Sequence, residues 1–194
     1  LAQNIVKLFE RNNMRAIALS IDDFYFEHCK MPTFRGHPGT HDVDLMFDCM
    51  NRLIQSQRND LTFVPQYDKT RFDGQGDRGT SFCVSGTFDC IILEGWCLGF
   101  KQIEHPPADM IDVNKSLYEY VKVYNLLDGI IILCAPYNMA YIWRELAEKK
   151  LRDQGLMVMS PKVIRSFVDH YMPIYKTFGQ TVFDTILPIL RIPF

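Results

Sequence analysis

The chain has 194 residues, 47% hydrophobic and 23% charged, enough for one ordinary globular domain with a substantial core. Its 21 basic and 23 acidic residues leave a net charge of -2, so no overall field favours nucleic acid or an anionic membrane, and any anion site must be local. Six cysteines, Cys29, Cys49, Cys83, Cys90, Cys97 and Cys134, form no CxxC pair and no Cys/His cluster of the zinc type, so buried thiols in a reducing compartment are expected rather than a disulfide framework. No apolar run approaches the roughly 18 residues that span a bilayer, and the start lacks the pattern of a signal peptide. The expectation is a soluble cytoplasmic protein with one domain over residues 1–194, organelle import remaining open.

In chain order, Leu1, Ile5, Val6, Leu8 and Phe9 follow helical spacing, so the chain opens inside an amphipathic helix with no cap before it. Arg11, Asn12 and Asn13 close that helix ahead of a strand at Met14 to Ile21. After the polar loop Asp22 to Asp42, a helix over Val43 to Gln57 carries Leu45, Met46, Cys49, Met50, Leu53 and Ile54 on one face. Strands follow at Leu61 to Val64, Phe88 to Leu93 and Gly129 to Cys134, with a weaker one at Thr185 to Leu190, where Pro188 interrupts. Helices are expected over Val113 to Leu126, Asn138 to Gln154 and Pro161 to Phe178. Short apolar strands separated by helices predict an α/β fold, a parallel sheet covered by helices on both faces.

Polar residues collect where such strands end, which is where α/β proteins bind ligands. SIDDFY (Ser20 to Tyr25) sets Asp22 and Asp23 just past the first strand, and ILEGWCLGF (Ile92 to Phe100) sets Glu94 past another, with Gly95 leaving room beside it. Taken alone, the Asp pair is a turn with a cap, and Glu94 is as suited to pairing with a nearby cation as to holding Mg²⁺. RGHPGTHD (Arg35 to Asp42) and PQYDKTRFDGQGDR (Pro65 to Arg78) add Arg, His, Tyr and Lys around Gly-permitted turns. The GxG of the second loop is no dinucleotide fingerprint, because no strand leads into it and no helix follows.

Together and in this order, these four segments resemble the glycerate kinase-like branch of P-loop kinases, and more distantly the uridine kinases and phosphoribulokinases. The resemblance extends through Val113 to Asn125, Tyr141 to Glu148 and Ser160 to Lys176, and so covers nearly the whole chain. It implies a P-loop NTPase-like parallel sheet and an ATP- and Mg²⁺-dependent kinase that phosphorylates a hydroxyl of glycerate or a similar small hydroxy acid. By the same resemblance Asp22 is the base for the acceptor hydroxyl and Glu94 the acid that positions Mg²⁺, directly or through water. Arg35, His41, Asp42, Tyr67, Lys69 and Arg78 fall in the acceptor-site motifs, and Arg144, Lys149 and Arg152 on the helix that carries the basic lid over the phosphates. Phe72 stands where uridine kinases tend to have a His, which argues against a nucleoside acceptor.

The family's first strand and its GxxxxGK[ST] phosphate loop are absent from these residues; Leu1 would fall just after them. The 194-residue chain alone is therefore expected to be weak or inactive as a kinase. The alternative reading is a non-catalytic member that keeps the fold as a binding or regulatory module.

Overall fold

The computed structural model describes residues 1–33, 35–155 and 160–193. Helix α1 (Ala2–Arg11) leads into strand β1 (Ala16–Ser20), whose end turns at once into a single 3-10 turn, Ile21–Phe24. Helix α2 (Val43–Gln55) follows, started by the Asp42 carboxylate, which accepts the Leu45 N–H at 3.0 Å. Strands β2 (Leu61–Val64), β3 (Tyr67–Asp68), β4 (Asp77–Arg78), β5 (Phe82–Ser85) and β6 (Cys90–Glu94) come next.

The helix expected over residues 113–126 is broken into α3 (Ile111–Ser116), a 3-10 turn at Leu117–Tyr120 and α4 (Val121–Tyr124). The break lets Leu117, Tyr120, Val123 and Tyr124 all reach the core. Strand β7 (Ile130–Cys134), helices α5 (Met139–Asp153) and α6 (Pro161–Phe178) and strand β8 (Ile189–Pro193) complete the order. The last strand starts later than its sequence pattern suggests. Pro188 stands before it and contributes only its carbonyl, which accepts the Ile130 N–H at 2.9 Å.

The parallel strands expected from sequence are present, flanked by helices. They form two pairs, β1 with β6 and β7 with β8, rather than one continuous sheet. Among the described residues β6 pairs only with β1 and β7 only with β8, so each keeps an edge without a strand partner. Ile131 and Leu133, apolar enough for a central strand, accordingly remain 47% exposed. Two antiparallel ribbons, β2 with β5 and β3 with β4, lie outside the parallel pairs; the second turns the loop of residues 65–78 into a hairpin.

One face of β1 sends Ile17 and Leu19 into a core with Met46, Met50 and Leu53 of α2, Val123 and Tyr124 of α4, and Ile174 and Phe178 of α6. Alternation turns Ala16 and Ala18 the other way, where small side chains admit α1; Val6 is its one buried residue. The alternating burial along β1 thus separates two layers, and the core fixes the β1 and β6 ends on which the polar residues sit. No helix among the described residues is long and apolar enough to cross a membrane.

Candidate active site

Parallel pairing brings the acids together. Ser20 and Glu94 are register partners at the ends of β1 and β6, so Asp22, Asp23 and Glu94 gather at one end of the strand pair. The Ser20 hydroxyl accepts the Asp22 N–H at 3.4 Å and so helps to form the turn. Gly95 is required beside them, since a Cβ there would fall 2.1 Å from the Ile21 side chain.

The two aspartates have different surroundings. Asp22 accepts the Tyr25 hydroxyl at 2.7 Å and the Lys69 ammonium at 2.6 Å. Burial alone would raise its carboxyl, but the Lys69 charge and hydrogen bond, with the Tyr25 bond, outweigh it and hold Asp22 below the ordinary value. Asp23 accepts the Tyr67 N–H at 3.1 Å, and burial, with Asp22 and Glu94 nearby, raises its carboxyl despite that bond. Asp23 thus holds the start of the β3–β4 hairpin, while Asp22 has a cation and a hydroxyl at its oxygens.

The acceptor-motif residues divide into those at the site and those behind it. Lys69 is exposed and paired with Asp22. Tyr67 is buried; its ring meets Tyr25 edge-on at 5.1 Å and carries the Arg35 guanidinium 5.5 Å above it. Arg35 Nη1 donates to the carbonyls of Gln75 and, at 3.4 Å, Gly74. That approach needs Gly76, where a Cβ would lie 2.3 Å from Nη1. Arg78 is committed elsewhere: Nη2 donates to the Tyr25 carbonyl at 2.8 Å and to Asp42 at 3.3 Å. Asp42, already the cap of α2, completes this brace.

His41 lies in the wall, only 2% exposed, stacked on Tyr25 at 4.5 Å. Its Nδ1 is 2.6 Å from the Tyr120 hydroxyl, which also accepts the Gly39 N–H at 3.2 Å. Burial holds the His41 imidazole down at about 4, so it is neutral at pH 7. Phe72 stacks on His28 at 4.0 Å, at the tip of the hairpin.

Of the three lid candidates on α5, Arg144 is drawn inward. Its Nη2 donates to Glu148 at 2.7 Å, and its guanidinium lies 4.7 Å over the Phe167 ring of α6. Lys149 and Arg152 are exposed further along the helix. Sequence patterns alone did not single out Tyr120, Trp96 or Tyr171 as site residues. Each acts through a partner distant in the chain or through a ring contact that local spacing does not announce.

The donor set suits Mg²⁺. Glu94 is an exposed carboxylate with Asp22 and Asp23 near it, and hard oxygen ligands are what that ion takes. Among the described residues no group of three or more His, Cys, Asp or Glu forms a cage. An ion held by one or two carboxylates that keeps its waters and shares substrate phosphates needs none.

Comparison with models of known protein families finds no match. Sequence comparison does find relatives. The chloroplastic D-glycerate 3-kinase of Arabidopsis thaliana is 31% identical over 202 residues, covering 91% of this chain and 44% of the plant protein. The probable ATP-dependent kinase TDA10 of Saccharomyces cerevisiae is 33% identical over 189 residues, covering 82% of this chain and 64% of the yeast protein. The chain therefore spans less than two thirds of the length of either. Among solved structures, the D-glycerate 3-kinase from Cryptococcus neoformans matches 96% of this chain and 78% of its own, with a TM-score of 0.88 at 24% identity, which establishes the fold. In sequence this chain is a homologue of D-glycerate 3-kinase and of the ATP-dependent kinase TDA10, and it shares the fold of the fungal D-glycerate 3-kinase structure.

Proposed function

We propose that these residues form the acceptor half of an ATP-dependent small-molecule kinase that transfers the γ-phosphoryl group to a hydroxyl of glycerate or a similar hydroxy acid. The observation that carries this reading is Asp22 at the end of β1, held between Tyr25 and Lys69, with the Arg35 fork nearby and Glu94 at the neighbouring strand end. The acceptor hydroxyl hydrogen-bonds to Asp22. As the new O–P bond forms and the bond to the ADP oxygen breaks, the hydroxyl proton passes to the Asp22 carboxylate. A carboxylate held low by Lys69 is a weak base, which suits a loose transition state in which most of the proton transfer comes late.

Of the basic residues, Arg35 is the best suited to the acceptor's carboxylate. Arg78 braces Tyr25 and Asp42 and Lys69 faces Asp22, whereas Arg35 spends one nitrogen on backbone carbonyls and lies over the Tyr67 ring. Tyr67 supports that fork from below. Glu94 would hold Mg²⁺, directly or through water; when bound, the ion would draw negative charge off the phosphoryl oxygens. Arg144 is the lid cation placed to approach the phosphates, with Lys149 and Arg152 further out on α5. The Gly-rich loop that grips ATP in P-loop kinases is not among these 194 residues, so they alone are expected to turn over weakly or not at all. All six cysteines are free thiols, which suits a cytoplasmic location.

The test is a panel of glycerate, other hydroxy acids, pantothenate and nucleosides offered with ATP and Mg²⁺ to the full-length gene product. Selective turnover of a nucleoside would overturn the assignment. Arg35→Met should raise the acceptor KM by at least about tenfold, as expected for a lost charge-assisted fork, with the KM for ATP unchanged.

A further inference from the structure

Arg35 belongs to a loop, residues 35–40, that has no ladder of its own to hold it. Each of its first three residues is instead gripped from elsewhere. The Tyr171 hydroxyl, on α6, donates to the Arg35 carbonyl at 2.9 Å. Trp96 Nε1, from the segment after β6, donates to the Gly36 carbonyl at 2.9 Å. His37 stacks on His170 at 4.5 Å, again from α6. Contact at the centre is close: Gly36 has φ 116°, and a Cβ on it would fall 2.6 Å from the Tyr171 hydroxyl oxygen.

Tyr171 also stands among the charges of the site. Arg35, Asp22 and Arg144 are among the charged groups that act on it. Its ring meets Trp96 at 5.4 Å and Phe167 at 5.1 Å, and Phe167 carries the Arg144 guanidinium. The Tyr141 hydroxyl of α5 donates to Asp169 of α6 at 2.5 Å, so the two helices are joined on this side as well.

We propose that Tyr171 is a positioning residue for the acceptor: its hydroxyl fixes the Arg35 main chain against α6, so that the guanidinium presents its open edge to the substrate carboxylate. This deepens the kinase reading and rests on it. A bidentate fork works only in one plane, and a loop displaced by a fraction of a hydrogen-bond length presents the wrong one. Because α6 also carries Phe167 under Arg144, the same helix sets the acceptor cation and the lid cation relative to each other.

Tyr171→Phe removes the hydroxyl and keeps the ring. In the full-length gene product it should raise the acceptor KM about 5- to 10-fold, as for one lost hydrogen bond, with kcat and the KM for ATP unchanged. Tyr175→Phe, one turn on in α6, is the control and should leave all three constants unchanged. Hydrogen exchange supplies a readout independent of turnover: the Gly36 amide, which donates to Thr40 Oγ1 at 3.2 Å, should exchange faster in Tyr171→Phe than in the parent. An unchanged acceptor KM, an equal rise for ATP, or the same effect from Tyr175→Phe would overturn the proposal. If no carboxylate-bearing acceptor is used at all, the kinase reading fails and exchange decides the tether: acceleration upholds it and unchanged exchange overturns it.

Discussion

Acidification should destabilise this protein through His41, and the size of the effect follows from its burial. The imidazole is 2% exposed, stacked on Tyr25 and bonded to Tyr120, and burial lowers it from the usual 6.5 to about 4, the Asp22 charge opposing only in part. Between those values the unfolded chain binds a proton that the native state refuses. Stability is therefore complete above pH 6.5, falls as pH drops, and levels off below about 4. Integrating that difference costs about 2 kcal/mol between pH 8 and pH 5 and approaches about 3 kcal/mol near pH 4. His37, lowered to about 4 by burial and by His170, adds in the same direction. Asp22, held low, loses its contribution only as pH falls below the ordinary carboxylate value of 3.8, outside this window. Asp23, held high, works in the opposite sense, so the informative comparison is with a variant rather than with pH alone. Urea denaturation of the parent and of His41→Leu at pH 8, 7, 6 and 5 makes that comparison. The parent should lose about 2 kcal/mol more than the variant over the range. Parallel pH profiles would refute the reasoning and mean that His41 titrates normally.

Two further substitutions probe the strand ends. Asp22→Asn in the full-length gene product should lower kcat by about 10²- to 10⁴-fold while leaving ATP binding nearly unchanged, because it removes a proton acceptor and no nucleotide contact. Steady-state kinetics with nucleotide titration checks this, and near-normal turnover would pass the role to another group. Gly95→Ala should destabilise the fold by about 1–3 kcal/mol, since its Cβ would meet Ile21 at 2.1 Å in a fully packed region. A denaturant midpoint equal to that of the parent would show that Ile21 can give way.

The acids illustrate what was legible beforehand. Asp22 and Glu94 follow apolar runs short enough to be buried strands, and parallel pairing of those runs puts both carboxylates at one end. Arg78 and Asp42 illustrate the reverse. Both belong to motif segments that resemble an acceptor site, yet one bonds the Tyr25 carbonyl 53 residues away and the other caps α2. His41 was in the same segment and lies in the wall, holding Tyr25 from behind. Residue type and spacing report which groups are near a site; they do not report which atoms each side chain spends on the protein itself.

By itself, the sequence determined the α/β alternation and the strand ends that carry Asp22 and Glu94. These follow from hydrophobic periodicity and from backbone preferences of neighbouring residues, which are local properties. Only the tertiary structure decided that Lys69 faces Asp22, that Arg35 lies over Tyr67 while Arg78 is a brace, and that Tyr171 reaches across 136 residues to the Arg35 carbonyl. It also decided that, among the described residues, the parallel strands stand as two pairs, each with an unpaired edge. Such facts depend on which distant surfaces the core brings into contact, and a hydrogen bond between remote residues leaves no periodic trace in the chain.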